Sequence, residues 1–120
     1  MTTGRCSRTP VSLLPMEDPA QLVYCSCPRD AAQALARTVV EQGLAACVNV
    51  LDAVQSVYRW QGELQQDEEA LLLIKTRQSR LPAMQKALLA AHPYELPEII
   101  AVPIEAGHAP YLQWIRDQTA

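Results

Sequence analysis

The segment HPYELPEII (residues 92–100) constrains the fold of this chain more than any other, because it contains two prolines four residues apart. Each proline fixes its own φ angle and disfavours helical geometry at the residue before it, so His92 and Leu96 are expected to be extended. A helix must therefore end near His92. The apolar residues that follow predict a strand over residues 99–104, and Pro103 places that strand at a sheet edge or at a bulge.

The chain has the size and composition of a single domain with an aliphatic core. It has 120 residues, of which 49% are hydrophobic and only 19% are charged, and it contains no phenylalanine. The formal net charge is −3, and no basic stripe with interleaved aromatic residues occurs, so nucleic acid is not expected as a partner. No membrane contact is expected either, because no apolar run approaches the ~18 residues that a bilayer span requires.

The N-terminal residues 1–19 are predicted to form a disordered tail in front of one domain at residues 20–118. The tail has no hydrophobic periodicity, and its apolar stretch is too short for a secretory signal. An internal start at Met16 and a transit peptide remain open as alternatives. The four cysteines show no disulfide spacing, so a reducing compartment is expected; they stand at positions 6, 25, 27 and 47.

Hydrophobic periodicity predicts the element order β-α-β-β-α-β followed by a closing helix. The first helix follows a cap at Ser26 or Cys27 and ends at Gly43, and the second helix begins with Ser79 as its cap. Gly62 and the polar residues 65–69 are expected to form a turn. This order is that of the α+β ferredoxin-like sandwich, an antiparallel sheet with both helices on one face. The predicted strands cover residues 21–26, 45–61, 70–76 and 99–104.

The second predicted strand is too long for a domain of this size. Its residues 45–61 would extend over roughly 55 Å, about twice the width of a 120-residue domain. Asp52 and Ala53 interrupt the alternation of polar and apolar residues and are expected to form a bulge. The hairpin beyond the bulge is expected to project past the sheet and to be covered by sister subunits in a cyclic homo-oligomer. The alternative is that the hairpin folds back over its own sheet.

Five segments of the chain carry a resemblance to a known family. They are GLAACVNV (43–50), SVYRWQGE (56–63), DEEALLLIKT (67–76), RLPAM (80–84) and HPYELPEII (92–100). Together they resemble the CutA family of divalent-cation tolerance proteins, and the likeness covers residues 20–118. The resemblance implies a cytoplasmic ferredoxin-like homotrimer with hairpins that interlock between subunits, associated with tolerance of copper and other divalent ions.

The resemblance also implies a candidate copper site. Some members of the family bind copper through a cysteine at the end of the first strand and a histidine pair before the proline of the HPY motif. Cys25 takes the cysteine position and His92 that of the second histidine, while Ala91 stands where the first would be. Weak binding of copper or another divalent cation is expected, with no obligatory cofactor. Binding should strengthen as the pH rises, because metal displaces the thiol proton.

Structural roles for the same residues remain open. Cys25 suits the core as a small apolar residue, and His92 suits the last carbonyl groups of the second helix. The strand topology places Cys25, Cys27 and His92 at one rim of the sheet, and it places Cys47 roughly 15 to 20 Å from that rim. His108 is expected to be a surface residue at the start of the last helix.

An acidic and aromatic cleft between subunits is predicted at the same rim. Its carboxylates would suit hard ions such as calcium or magnesium at low affinity, and a solvated acidic turn is the alternative. The residues expected to line the cleft are Trp60, Glu68, Tyr94 and Glu95, with Asp67 and Glu69 of the same acidic turn at this rim.

Two functions follow from these features, and a third is disfavoured. The first is a non-enzymatic, metal-responsive trimer that binds copper weakly through Cys25 and His92. The second is a regulatory or scaffold trimer that binds a small metabolite or a protein in its intersubunit clefts; nucleotides are disfavoured because the chain has no glycine-rich phosphate loop. An enzyme is not expected, because neither an orienting third group nor an oxyanion motif accompanies Cys25 and His92.

Overall fold

The computed structural model describes residues 17–120 as one four-stranded antiparallel sheet with three helices. The sheet order is β2-β3-β1-β4, and every neighbouring pair of strands is antiparallel. The predicted α+β ferredoxin-like fold with a C-terminal helix is therefore confirmed. None of the helices in residues 17–120 is long and apolar enough to span a membrane. The elements are β1 (Ala20–Cys27), α1 (Ala32–Glu41), β2 (Cys47–Trp60), β3 (Glu63–Arg77), α2 (Leu81–Ala91), β4 (Ile99–Pro103) and α3 (Ala109–Gln118).

The core lies between one face of the sheet and the helix pair α1 and α2. Because side chains alternate between the two faces of a strand, every second residue of the central strands enters this core. The strand contributions are Val23, Cys25 and Cys27 from β1, and Ala70, Leu72 and Ile74 from β3. The helix contributions are Ala32, Leu35 and Val39 from α1, and Met84 and Leu88 from α2.

The helix ends follow the glycine and proline signals of the sequence. Just beyond α1, Gly43 has a φ of 72°, the left-handed geometry that glycine supplies after a helix. At the end of α2, His92 is extended, with φ −76° and ψ 134°. The Pro93 ring disfavours helical geometry at His92, as predicted.

The predicted serine caps are wrong. Short 3-10 turns precede α1 and α2, and neither helix has a side-chain cap. The Ser79 hydroxyl and amide instead donate to the Asp18 carboxylate at 2.8 and 2.7 Å. The same carboxylate forms an ion pair with Arg77 at 2.9 Å. Asp18 belongs to the predicted tail. Residues 1–16 of that tail, with Cys6, lie outside the described residues.

The hairpin formed by β2 and β3 projects beyond the sheet. Residues 54–60 pair with residues 63–69, past the point where Ala70 makes the last pairing of β3 with β1. The described chain measures 55 × 27 × 23 Å, with a radius of gyration of 16.7 Å. A compact domain of this length would have a radius of about 13 Å. The predicted projecting hairpin is confirmed, and it does not fold back over its own sheet.

Of the predicted turn, Gly62 is confirmed, but the polar residues 65–69 lie outside it. They belong to β3, and the turn consists of Gln61 and Gly62, whose φ angles are 51° and 83°. Positive φ at both central residues is the tight hairpin geometry that matches the twist of the flanking strands. The acidic residues of this stretch therefore alternate between two faces.

The predicted bulge at Asp52 and Ala53 is confirmed, because the pairing register shifts between Leu51 and Val54. Asp52 accepts two hydrogen bonds from the Arg29 guanidinium, at 2.6 and 2.8 Å, and one from the Ala53 amide at 3.0 Å. Arg29 also donates to Glu68 of β3 at 2.8 Å. Arg29 thus ties the segment between β1 and α1 to both strands of the hairpin.

Candidate functional site

A groove of about 690 Å³ lies where the projecting hairpin meets the end of β1. Its size falls within the range of roughly 300 to 1,000 Å³ that is typical of small-molecule sites. One wall comes from the hairpin and the other from the connector between α2 and β4. The lining comprises Ser26, residues 55–60, Asp67, Glu69, residues 94–96 and Glu98.

The groove carries an excess of negative charge. Three of its carboxylates accept hydrogen bonds from hydroxyl groups: Asp67 from Tyr58, Glu69 from Tyr94 at 2.5 Å, and Glu98 from Ser26 at 3.2 Å. Within residues 17–120, none of these carboxylates forms an ion pair. The lining contains four carboxylates and one guanidinium. These charged residues are Asp67, Glu69, Glu95, Glu98 and Arg59.

Glu69 is the most enclosed carboxylate of the groove. Its residue is only 6% exposed, and its partner is the hydroxyl of Tyr94. Burial raises the pKa of Tyr94, and the adjacent Glu69 carboxylate raises it further. The phenol therefore stays protonated and donates at neutral pH, so the Glu69 charge is hydrogen bonded but not neutralised.

His92 fastens the connector to the end of β1. Its Nδ1 lies 3.1 Å from the Tyr94 amide, and its Nε2 lies 2.8 Å from the carbonyl oxygen of Ser26. Because an amide can only donate, Nδ1 accepts from the Tyr94 amide, and Nε2 carries the ring proton and donates to the Ser26 carbonyl. Both ring nitrogens of His92 are therefore in use. The ring bonds a carbonyl of β1, and not the last carbonyls of α2 as the structural alternative proposed.

Cys25 lies in the core beneath this connector. It is 0% exposed, and its Sγ lies 3.8 Å from the same Ser26 carbonyl that His92 binds. Burial raises the pKa of the Cys25 thiol to about 12, and the nearby Cys27 and Glu98 act in the same direction. Burial likewise raises the pKa of Cys27 to about 11. Both thiols are therefore protonated at neutral pH.

The folded pair of Cys25 and His92 is poorly suited to a metal ion. The two residues meet at one carbonyl group, but the thiol holds its proton and the imidazole has no free nitrogen. Among residues 17–120, no three His, Cys, Asp or Glu side chains converge as a metal site would require. The copper site inferred from the sequence stays a prediction, and it would need this connector to open.

The other cysteine of the described chain lies at the opposite end of the sheet. Cys47 pairs with Lys75, which pairs in turn with Leu22 near the start of β1. The Cys47 Sγ lies 3.4 Å from the Tyr111 hydroxyl. Cys47 therefore has no part in the groove. His108 precedes α3, where its carbonyl oxygen accepts from the Leu112 amide at 3.0 Å.

Of the four residues expected in the cleft, the structure brings three together. Trp60, Tyr94 and Glu95 line the groove, whereas Glu68 is not among its lining residues and accepts hydrogen bonds from Arg29 and Gln55. The prediction treated the acidic stretch as a turn and could not sort its side chains by face. In a strand, Asp67 and Glu69 share one face and Glu68 takes the other.

Comparison with known proteins agrees with this architecture. The family model described as CutA1 divalent ion tolerance protein matches residues 21–118. A Xenopus laevis protein named Protein CutA homolog is 48% identical over 95 residues, which make up 78% of this chain and 63% of that protein. The chain spans between 54% and 63% of the length of the vertebrate relatives it matches.

Solved structures give the same picture. The divalent cation tolerance protein of Thermus thermophilus superposes with a TM-score of 0.82 at 42% identity, over 84% of this chain and 99% of that one. The structure described as the periplasmic divalent cation tolerance protein CutA from Archaeoglobus fulgidus gives a TM-score of 0.81 at 30% identity, over 84% and 99% of the two chains.

Proposed function

The chain belongs to the CutA1 divalent ion tolerance protein family, and from this premise we propose that it acts as a non-enzymatic homotrimer in the response to divalent metal ions, copper among them. The observation that carries the proposal is the hairpin, which projects from the sheet with its apolar side chains uncovered. Val57 is 62% exposed and Leu64 is 71% exposed. A projecting two-stranded ribbon with such a surface needs further contacts to be stable in water.

The sheet face opposite α1 and α2 supports association as well. Ile100 and Val102 of β4 and Leu51 of β2 are exposed, and these two strands form the two edges of the sheet. Apolar faces and open strand edges of this kind are covered in native proteins by other chains or other elements. A closed ring of three copies, in which each hairpin contacts its neighbours, covers both surfaces without leaving an open end.

A matched pair of variants tests the trimer. Leu64→Glu places a charge on the hairpin, and Leu89→Glu places the same charge on α2, where the leucine is 49% exposed. Size-exclusion chromatography with light scattering should show that the first variant dissociates and that the second remains a trimer. Trimers of equal stability in both variants would contradict the proposed role of the hairpin.

The copper part of the proposal assigns weak binding to Cys25 and His92. The ion must displace the thiol proton and separate His92 from Ser26, and this requirement accounts for a low affinity. Affinity should rise with pH, because Cys25 binds as the thiolate. Titration with Cu(I), Cu(II) and Zn(II) should show weaker copper binding in the double variant Cys25→Ala, His92→Ala, with Cys47→Ala as the control. Unchanged binding in the double variant would remove this assignment.

A non-enzymatic role is supported by two observations. The matching family is described as a tolerance protein, and Cys25 is buried with its thiol protonated, which makes it a poor nucleophile. We place the trimer in the cytoplasm, although the Archaeoglobus fulgidus relative is described as periplasmic. Cell fractionation of the full-length protein, which should follow cytoplasmic markers, tests this location.

The groove favours a second function, that of a regulatory or scaffold trimer which binds a small metabolite. Its volume of about 690 Å³ and its aromatic side chains suit a small molecule. A thermal-shift screen of metabolites should find a ligand that raises the melting temperature, and a screen without any such ligand would count against this function.

A further inference from the structure

We propose that the groove binds a small organic cation that carries amino or guanidino groups. This inference rests on the second proposed function and names the class of its ligand. It does not depend on the copper assignment, because neither Cys25 nor His92 lines the groove.

The first argument is the uncompensated charge. Four carboxylates line the groove, and the single guanidinium among its lining residues, Arg59, donates instead to the Gly62 carbonyl at the hairpin turn, at 3.4 Å. The described partners of Asp67, Glu69 and Glu98 are neutral hydroxyl groups. A carboxylate as enclosed as Glu69 is costly without a counter-charge, so a cation in the groove is favoured.

The second argument is the aromatic lining. Tyr58, Trp60 and Tyr94 stand in the same groove as the carboxylates. The faces of tryptophan and tyrosine rings attract organic cations through the ring quadrupole, and the hydrocarbon part of such a ligand gains from the apolar surface. Carboxylates beside aromatic rings therefore suit an amine on a carbon chain.

The third argument separates an organic cation from a metal ion. Hard ions such as Ca²⁺ need about six to eight oxygen ligands around one point. Within the described residues, no three His, Cys, Asp or Glu side chains converge in that way. The carboxylates are instead distributed over a groove of about 690 Å³, which is far larger than one ion. A ligand with several separated positive groups suits this distribution better than a single ion does.

Titration with spermidine tests the inference in the full-length chain. The Trp114→Phe variant leaves Trp60 as the single tryptophan, so that its fluorescence reports on the groove directly. We expect saturable quenching by spermidine with a dissociation constant on the order of 0.1 to 1 mM. Mg²⁺ at matched ionic strength and neutral 1,6-hexanediol should leave the fluorescence unchanged.

Two isosteric variants identify the carboxylates. Asp67→Asn and Glu98→Gln keep a hydrogen-bond acceptor for Tyr58 and Ser26 and remove only the charge. Together they should weaken spermidine binding by about tenfold or more, an effect of about 1.4 kcal/mol. Glu41→Gln, at the exposed end of α1, is the matched control and should bind like the parent chain.

The outcomes separate this inference from the proposed functions. Absence of quenching up to about 5 mM spermidine, or equal weakening in Glu41→Gln, would overturn the inference. Displacement of spermidine by Mg²⁺ at equal ionic strength would overturn it in favour of diffuse attraction of cations. A third outcome is that the parent chain does not bind spermidine and that the Asp67→Asn, Glu98→Gln variant loses the trimer. This outcome would overturn the inference and show that a second copy of the chain occupies the groove. A trimer that binds copper but not spermidine would overturn this inference alone.

Discussion

The two halves of β3 differ in what covers them. In residues 70–76, the side chains of Ala70, Leu72 and Ile74 are each 0% exposed beneath α1 and α2. In residues 63–69 of the same strand, Leu64 is 71% exposed, and the polar side chains find partners only along the hairpin and at its base. One continuous strand therefore contributes to the buried core at one end and to an exposed hairpin at the other. The apolar side chains of the hairpin are free to contact other molecules.

This difference locates stability and association in separate parts of the chain. The helix-covered half buries aliphatic side chains, which provide most of the folding free energy of a small domain. The hairpin has no such core of its own. It is positioned by the bulge at Ala53 and by the contacts of Arg29 with Asp52 and Glu68.

The largest expected effect comes from truncation of the covered half. Leu72→Ala should lower the free energy of unfolding by about 2 to 5 kcal/mol, because a fully buried leucine leaves a cavity. Leu64→Ala on the hairpin is the matched variant and should cost less than Leu72→Ala, because it leaves no cavity in the core of the subunit and acts only through contacts between subunits. Urea denaturation measures the free energy of unfolding of both variants. Equal decreases in the two variants would contradict the proposed difference between the two halves of β3.

Alkaline pH should weaken the covered half through its cysteines. Burial raises the pKa of Cys25 from 9.0 to about 12, so the folded state holds the thiol proton more tightly than the unfolded state. Its contribution to stability is complete below pH 9.0 and is lost as the pH rises towards 12. The loss should be at most about 1.4 kcal/mol per pH unit for one thiol.

The variant Cys25→Ala should show a shallower decline of stability over that alkaline range than the parent chain. Cys47→Ala, at the far end of the sheet, should decline like the parent. Thermal unfolding monitored by circular dichroism at several pH values provides the comparison, and parallel curves for all three proteins would contradict a buried Cys25.

His92 stands where the two regions meet. His92→Ala removes the hydrogen bonds to Ser26 and Tyr94 and should cost about 1 to 3 kcal/mol of unfolding free energy, because buried polar groups lose their partner. Amide exchange at Tyr94 should accelerate at the same time. His108→Ala, an exposed residue before α3, serves as the control, and a similar cost in that variant would refute the fastening role of His92.

The smallest effect is expected at the bulge that separates the two regions. Ala53 has a φ of 58°, a left-handed conformation that costs an alanine roughly 1 to 2 kcal/mol. Ala53→Gly removes this strain but adds freedom to the unfolded chain, so a net gain of about 0.5 to 1 kcal/mol is expected. Gly43→Ala, at another left-handed position, should lose stability. A loss in Ala53→Gly would show that residue 53 does not adopt the left-handed conformation.

Much of the fold could be predicted from the sequence, because its signals are local. Proline fixed the end of α2 and the edge position of β4, Gly43 marked the end of α1, and the break in alternation at Asp52 and Ala53 located the bulge. The helix starts were mispredicted because a long-range contact decides one of them: Asp18 takes the Ser79 side chain, 61 residues away, that would otherwise have capped α2.

The site was less accessible from sequence for the same reason. The role of Arg29 was missed because its partner Asp52 lies 23 residues away and no local pattern links them. The acidic residues 67–69 were taken for a turn on composition alone, although strand pairing with β2 sorts them by face. The sequence predicted that Cys25 and His92 lie at the same rim of the sheet. It did not predict that both contact the Ser26 carbonyl or that both are buried there.

Sedimentation velocity of the full-length chain over a range of concentrations tests the central claim most directly. The account predicts one species with three times the 13.3 kDa mass of the chain, persisting to micromolar dilution, because the exposed hairpin is covered by its neighbours. A folded species of 13.3 kDa under the same conditions would contradict it, since the hairpin would then be stable without any partner.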